Sequence, residues 1–471
     1  MSFSLCRRAR TLAHVLLGGA LSATVVAGVC VAGVSVSMAD SFPSTSQAAP
    51  SQGWPAAAAA PPGRTVVAVV TGDTGSVVSD VLAPYEVFAR SKAFFVYTIS
   101  ARRAPVPLSG GLNLLPDHTP AEVDAGRAPE PDVVVVPAVV DPAGEREAPL
   151  REWITRQAGR GARVLGVCAG SKLLAETGLL DGHRATSFWE NIEGLRRSHP
   201  QVKWVSGRRY VQDGPITTTA GVTSGVVGAL RLVEQLAGAA EAERVGREVA
   251  YPHWSLKGST EIAVNRLALS DLPYGLNVAF PWWRPTVAVG LVEGVGEIDV
   301  AAAFEIYSGT SFAARAIPVA GRQVVTTRHG AVLVAEPAGT GVAHADRLVV
   351  PGARTPAEAG PLLAEWAAGR GLDLELPHSG RADGEFSFDP VLRDVAAHGD
   401  RATARAAAKF TEYPADHLEL TGAAWPWRST ALFALTLVVA VGAGFLPAAV
   451  ARRRRRRSGV TGDPETTTGR S

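Results

Sequence analysis

Arg163-Val164-Leu165-Gly166-Val167-Cys168-Ala169-Gly170-Ser171-Lys172-Leu173-Leu174-Ala175-Glu176 is the stretch that decides how the rest of the chain is read. Arg163–Val167 is apolar and reads as a strand. Ala169–Ser171 is a small-residue turn, and Lys172–Glu176 opens a helix. A side chain at a sharp strand-to-helix turn is pushed clear of the backbone and held at a helix N-terminus. Amide N–H groups and the helix dipole there favour an anion, so a thiol loses its proton more easily. The expectation is a reactive Cys168 with a depressed pKa. The plainer reading, a small cysteine packed in a core strand, stays open beside it.

Outward from this turn the pattern alternates. Thr65–Val70 is a continuous β-branched run, the mark of a strand buried on both faces. Asp80–Ala89 reads as a helix, Phe94–Ser100 and Asp132–Pro137 as strands, and Leu150–Arg160 as a helix. Ile216–Thr219 and the helix Ser224–Leu236 close the unit. Such alternation predicts an α/β fold, a doubly wound parallel sheet with helices on both faces. Ligands in such sheets bind at the carboxyl ends of the strands, where Cys168 falls.

The pattern then recurs. Asp80-Val-Leu-Ala-Pro-Tyr-Glu86 returns as Asp299-Val-Ala-Ala-Ala-Phe-Glu305. Asp132–Pro137 returns as Asp346–Pro351, Glu152-Trp153 as Glu365-Trp366, and Gly161 with its strand as Gly371 with Leu372–Leu376. On that register His378 stands at the position of Cys168. Leu230–Ala250, ending at Tyr251-Pro252, resembles Leu392–Glu412, ending at Tyr413-Pro414. The second series is about 48 residues shorter and omits the counterparts of the helix after Cys168 and of Thr186–Asn191. Two tandem copies are expected, the second shortened and without the nucleophile.

Composition and the chain ends limit the function. The 471 residues carry a net charge of +2, and six arginines sit in one run, Arg452–Arg457, so no basic face suits nucleic acid. Of three cysteines, Cys6 and Cys30 lie in the N-terminal stretch, leaving one thiol in the folded part and no internal disulfide there. Residues 1–39 begin with Arg7, Arg8 and Arg10 and continue apolar to Ser37-Met38-Ala39, a signal peptide or a retained membrane anchor. Residues 40–63 are a Pro/Ala/Ser linker. Residues 429–451 predict a transmembrane helix with Trp425 and Trp427 before it and the arginines after it. The tail 452–471 is then cytoplasmic and the folded part lies outside the cytoplasm at the cell membrane, on a single or double pass. The folded part divides into 64–256, a complete domain, a linker 257–284, and 285–420, the shortened domain.

Val167–Trp189, with Asp80–Phe88, Asp132–Pro137 and Asp213–Gly225, resembles the ThiJ/PfpI branch of the class I glutamine-amidotransferase-like superfamily. The likeness is to the sensory domains of AraC-type regulators and to isonitrile hydratases, good over 64–255 and weak over 285–415. It implies a flavodoxin-like sheet, a cysteine nucleophile, and a homodimer. Carried over, Cys168 is the nucleophile, Glu86 the acidic residue near the thiol, and Asp80 the acid/base of hydratase-type members. A protonated carboxyl beside a thiolate stabilises it by hydrogen bonding. Glu86 otherwise reads as a surface ion-pair residue, and Asp80 as a helix cap.

The chain also departs from that family. Peptidase-like members carry His after the nucleophile and hydratase-like members Thr, whereas here Ala169 follows. Ala138-Val139-Val140 stands where relatives have glycines whose amides stabilise an oxyanion. No motif places His183 or His253 at the thiol. No metal-ligand spacing, phosphate loop or dinucleotide fingerprint occurs, so no cofactor and no metal are expected. Two classes of function remain. One is a cysteine-dependent hydratase or hydrolase acting on a small electrophile. The other is a ligand-binding or redox-sensing module within a membrane complex.

Overall fold

The central strand is Thr65–Val70 (β1), five of whose six residues are buried. The computed structural model describes residues 2–42, 54–338, 344–382 and 384–458. From β1 the chain runs through α1 (Val78–Ala89), β2 (Phe94–Ile99), β3 (Val106–Leu108), β4 (Leu112–Leu115), β5 (Val133–Val136), α2 (Ala148–Gly159), β6 (Arg163–Gly166) and α3 (Gly170–Glu176). It continues with β7 (Tyr210–Asp213), β8 (Ile216–Thr219), α4 (Ser224–Ala237) and α5 (Ala239–Val249). The six-stranded sheet has the order β2-β1-β5-β6-β8-β7. All its pairs are parallel except β7 with β8. Each predicted strand and helix of this half forms within about two residues of its expected bounds, because unbroken Val/Ile runs are stable only where helices cover both faces.

The second half has a parallel sheet of its own. Thr286–Leu291 (β9), Glu297–Phe304 (α6), Arg315–Ala320 (β10), Val324–Thr326 (β11), Val332–Val334 (β12), Glu336–Pro337 (β13), Arg347–Val349 (β14) and Leu374–Glu375 (β15) precede Phe388–His398 (α7) and Arg401–Phe410 (α8). A five-stranded parallel sheet takes the order β13-β10-β9-β14-β15. Its four strands β10-β9-β14-β15 follow the order of β2-β1-β5-β6. Thr65 lies opposite Phe94 in the first sheet and Thr286 opposite Arg315 in the second. Asp132 Oδ2 accepts the Val66 amide at 2.8 Å, and Asp346 Oδ2 the Thr286 amide at 2.8 Å. Among the described residues no helix stands between β15 and α7, where the first half has α3.

The two halves lie in one compact unit, Ser37–Asn277 with Arg284–Pro426. They share a four-stranded antiparallel sheet, β11-β12-β4-β3, drawn from both. This sheet was not legible in the sequence, because its strands are three or four residues long. The long helices read at 230–250 and 392–412 each break in two, at Gly238 and at Gly399-Asp400.

A separate unit comprises Met1–Val36, Val278–Trp283 and Trp427–Ser471. Its helices His14–Ser41 and Trp427–Arg453 are long and apolar enough to cross a membrane by length and composition. They meet at small residues. A Cβ on Gly18 would fall 2.3 Å from the Gly444 carbonyl oxygen, and Ser22 Oγ donates to the Ala440 carbonyl at 2.8 Å. Much of the linker 40–63 and of the tail 452–471 lies outside the described residues.

Candidate functional site at Cys168

The loop after β6 carries Cys168 in a left-handed conformation, φ +55°. A non-glycine residue there costs on the order of 1–3 kcal/mol and persists only where its surroundings hold it. Three side chains do so. The Cys168 amide donates to Thr219 Oγ1 at 3.2 Å, and its carbonyl accepts from Ser171 Oγ and Ser187 Oγ, both at 3.2 Å. Thr219 ends β8, Ser171 opens α3, and Ser187 lies in a loop, so three segments fix one residue.

Asp80, in the first turn of α1, is the acid beside the thiol. It is fully buried, and its Oδ2 accepts the Ala138 amide at 3.1 Å. Its Oδ1 has no other hydrogen-bond partner among the described residues. Burial raises the Asp80 pKa well above the usual carboxylate range. The Glu305 charge adds to this, while the Ala138 amide and the Cys168 thiol oppose it.

The expected depressed thiol pKa is not found. Cys168 is only 4% exposed, and burial pushes its pKa well up. The Asp80 charge raises it further, against the amides of Val222 and Ala169. Position at a helix start is outweighed by desolvation, because α3 contributes few aligned dipoles over seven residues. The pair rests as a neutral thiol beside a carboxyl group.

Glu86 is also corrected: it does not sit at the thiol. Its carboxylate accepts from Arg90 Nε at 2.8 Å and from the Ile298 amide at 2.6 Å, which caps the N-terminus of α6. Asp80 and Glu86 are six positions apart on one helix, so they project roughly 120° apart and cannot face the same atom. Glu305 mirrors Glu86, being held by Thr310 and by the Ser79 backbone at the start of α1. Each half thus caps the other's helix with a buried carboxyl.

The histidines are elsewhere. His183 pairs with Asp213 at 3.5 Å and His253 with Asp416 at 3.5 Å, both at the surface. His378, at the Cys168 position of the second sheet, is buried. It accepts the Gly352 amide at Nδ1, 3.1 Å, and its Nε2 lies 3.5 Å from Asp299 Oδ1. Among the described residues, three groups bring ligand-capable atoms within 4.8 Å of one another: Glu86, Glu297 and His329; His253, Asp416 and His417; Glu375, Asp394 and His398. The first set is spent on Arg90, Thr327 and backbone amides. None includes Cys168 or Asp80.

One residue of the site was missed. Glu412, at the end of the second half, enters the first half's site. Its buried carboxylate accepts the Gly221 amide, and its charge bears on Cys168. Burial pushes its pKa up to about 7, against the Gly221 amide and Arg209. The signal lay in the sequence match of 230–252 with 392–414, which sets Glu412 against Ala250; both residues are left-handed, at φ +50° and +59°.

Residues 65–235 match the DJ-1/PfpI family. The isonitrile hydratase of Pseudomonas putida is 34% identical over 175 residues, covering 36% of this chain and 72% of that protein. The HTH-type transcriptional regulator CdhR of Pseudomonas aeruginosa is 32% identical over 152 residues, 32% of this chain but only 44% of the regulator. Among solved structures, Drosophila melanogaster DJ-1beta aligns with 22% identity and a TM-score of 0.35, covering 39% of this chain and 96% of that one. A ThiJ/PfpI family protein from Pseudomonas syringae aligns with 24% identity and a TM-score of 0.35, covering 42% and 81%.

Proposed function

The chain belongs to the DJ-1/PfpI family, and we propose that it is a membrane-anchored, extracytoplasmic member in which Cys168 and Asp80 add water to a small, uncharged electrophile. One observation carries this reading: a fully buried Asp80, whose Oδ1 has no hydrogen-bond partner other than the thiol among the described residues, lies beside a cysteine held in a strained backbone conformation. Buried polar atoms are normally partnered, and strain of this kind gathers at functional residues. A neutral thiol and a carboxyl group whose pKa burial raises suit a neutral electrophile that needs a nucleophile and a proton together.

For an isonitrile the steps balance. Cys168 Sγ bonds to the terminal carbon, and that carbon takes a proton from Asp80. The thiol proton passes to Asp80, leaving a thioimidate. Water then adds across the C=N bond, its oxygen to the same carbon and one proton to the nitrogen; the C–S bond breaks as the remaining hydroxyl proton passes to the sulfur. The product is an N-substituted formamide, one water heavier than the substrate. The amides of Ala169 and Val222, directed at the sulfur, stabilise charge that develops there. The Pseudomonas putida relative supports this class of substrate. Redox sensing is disfavoured, since oxidants attack thiolates and this thiol is buried and held protonated.

We infer further that 64–256 and 285–420 are two copies of one domain, supported by their shared strand order and register. Packing of α1 on α6 and the shared antiparallel sheet bury faces that a second chain is then not needed to cover. The two apolar helices support membrane anchoring, and the arginines after Val450 favour a cytoplasmic tail. The test is turnover of a panel of small isonitriles, nitriles and aldehydes by the full chain in detergent. Hydration that disappears in Cys168→Ala supports the proposal. No turnover of any member, or turnover that survives the substitution, overturns it.

A further inference from the structure

We infer that Glu412, supplied by the second half of the chain and seated on the Gly221-Val222 turn that also faces the sulfur, controls the reactivity of Cys168 by its charge. The inference rests on Cys168 being the reacting group. Adjacent amides of that turn face the two groups: Gly221 donates to the Glu412 carboxylate, and Val222 donates toward the Cys168 sulfur. The approach is close. A Cβ on Gly221 would fall 2.9 Å from Glu412 Oε2 and 2.9 Å from the Phe188 ring.

The anchoring is more than one bond. Thr223 donates its amide to the Thr411 carbonyl at 3.1 Å, and Arg209 Nη1 reaches the Glu412 carbonyl at 3.5 Å. These contacts hold Glu412 left-handed, a conformation glutamate takes only under constraint. The carboxylate is thereby delivered into the other half's site while its own sheet carries no thiol. The first half's Ala250, in the same backbone conformation, can deliver nothing in return.

The groups facing Glu412 set its behaviour. Arg209, the Tyr251 hydroxyl and Cys168 surround it. Lys409, on the helix that ends just before Glu412, points away, to Asp271 at 2.6 Å, and Tyr413 hydrogen-bonds Asp389. Arg209 favours the carboxylate, and burial opposes it. With its pKa near 7, Glu412 is neutral in mildly acid solution and charged above that point. Once charged, it disfavours a second negative charge on the sulfur. The thiolate therefore becomes harder to form as Glu412 ionises.

The experiment is the rate of iodoacetamide alkylation of Cys168 between pH 6 and 10, read by mass spectrometry on the Cys168 peptide of the intact chain. The native profile is expected to rise with pH but to flatten near neutrality, where Glu412 takes charge. Glu412→Gln keeps the shape and the acceptor for Gly221. It should remove the shoulder and raise the rate above pH 8 roughly tenfold. Arg209→Met should move the shoulder to higher pH, which keeps the test open if Glu412→Gln fails to fold. Profiles of both variants that superimpose on the native one overturn the inference. Alkylation needs no turnover, so this result is separate from the substrate screen.

Discussion

The carboxyl ends of the two parallel sheets are built alike and furnished differently. In the first, Asp80 takes the Ala138 amide and leaves Oδ1 free beside a thiol. In the second, the matching amide, Gly352, goes to His378 Nδ1, and Asp299 is taken up by Arg381 at 3.2 Å and by His378 at 3.5 Å. The second site is closed on itself: each polar atom named has a protein partner. The difference teaches that the backbone alone does not make the site. Strand order, helix caps and left-handed residues recur in both halves. What sets the first apart is a nucleophile beside the unpartnered Oδ1 edge of Asp80, where the second half has Asp299 engaged by Arg381 and His378, and a carboxylate borrowed from the other half.

This contrast can be broken by paired substitutions. Cys168→Ala should lower turnover of a small electrophile at least about 10³-fold with an unchanged circular dichroism spectrum. His378→Ala should leave turnover within about twofold. Equal losses from both would show that the halves are not functionally distinct. Asp80→Asn should cost about 10²- to 10⁴-fold in kcat, the usual range for a lost proton-transfer group. Asp299→Asn should cost less than about threefold in the same assay.

Stability sharpens it further. A Cβ on Gly170 would fall 2.0 Å from the Val136 carbonyl oxygen, while one on Gly380, the corresponding position, meets nothing within 4 Å. Gly170→Ala should therefore lose about 2–3 kcal/mol in denaturant unfolding, and Gly380→Ala less than about 0.5 kcal/mol. The smallest effect belongs to Glu412. Its pKa is raised on folding to about 7 from an ordinary 4.5, so the folded state holds a proton that the unfolded chain has released. Wild-type stability thus falls as pH rises from the unfolded value through 7. Glu412→Gln should gain up to about 2 kcal/mol at pH 8, a gain that fades toward pH 4.5.

Much of this was legible beforehand, for definite reasons. Thr65–Val70 and Ile216–Thr219 form as read, because a β-branched run between turn signals has few other stable fates. The break from strand to turn at Cys168 was also readable, whereas Asp80 read as an acid/base or a helix cap and not as the acid beside the thiol. Glu86 was misplaced, although its six-residue spacing from Asp80 already placed the two on different faces of one helix. The thiol pKa was misjudged because a helix start is a local feature, whereas burial is set by distant segments, those carrying Val222 and Glu412 among them. Glu412 itself is 244 positions from Cys168 along the chain. Only the aligned tyrosines Tyr251 and Tyr413, whose rings lie 6.2 Å apart, hinted that the two chain segments meet.

The account turns on Cys168 being stored as a neutral thiol against Asp80. The infrared S–H stretch, taken as the difference between the native chain and Cys168→Ala at pH 8, reads that state directly. A Cys168 S–H band is expected at this pH, displaced in Asp80→Asn. A difference spectrum without the band, signifying a thiolate, or a band indifferent to Asp80→Asn, would contradict it.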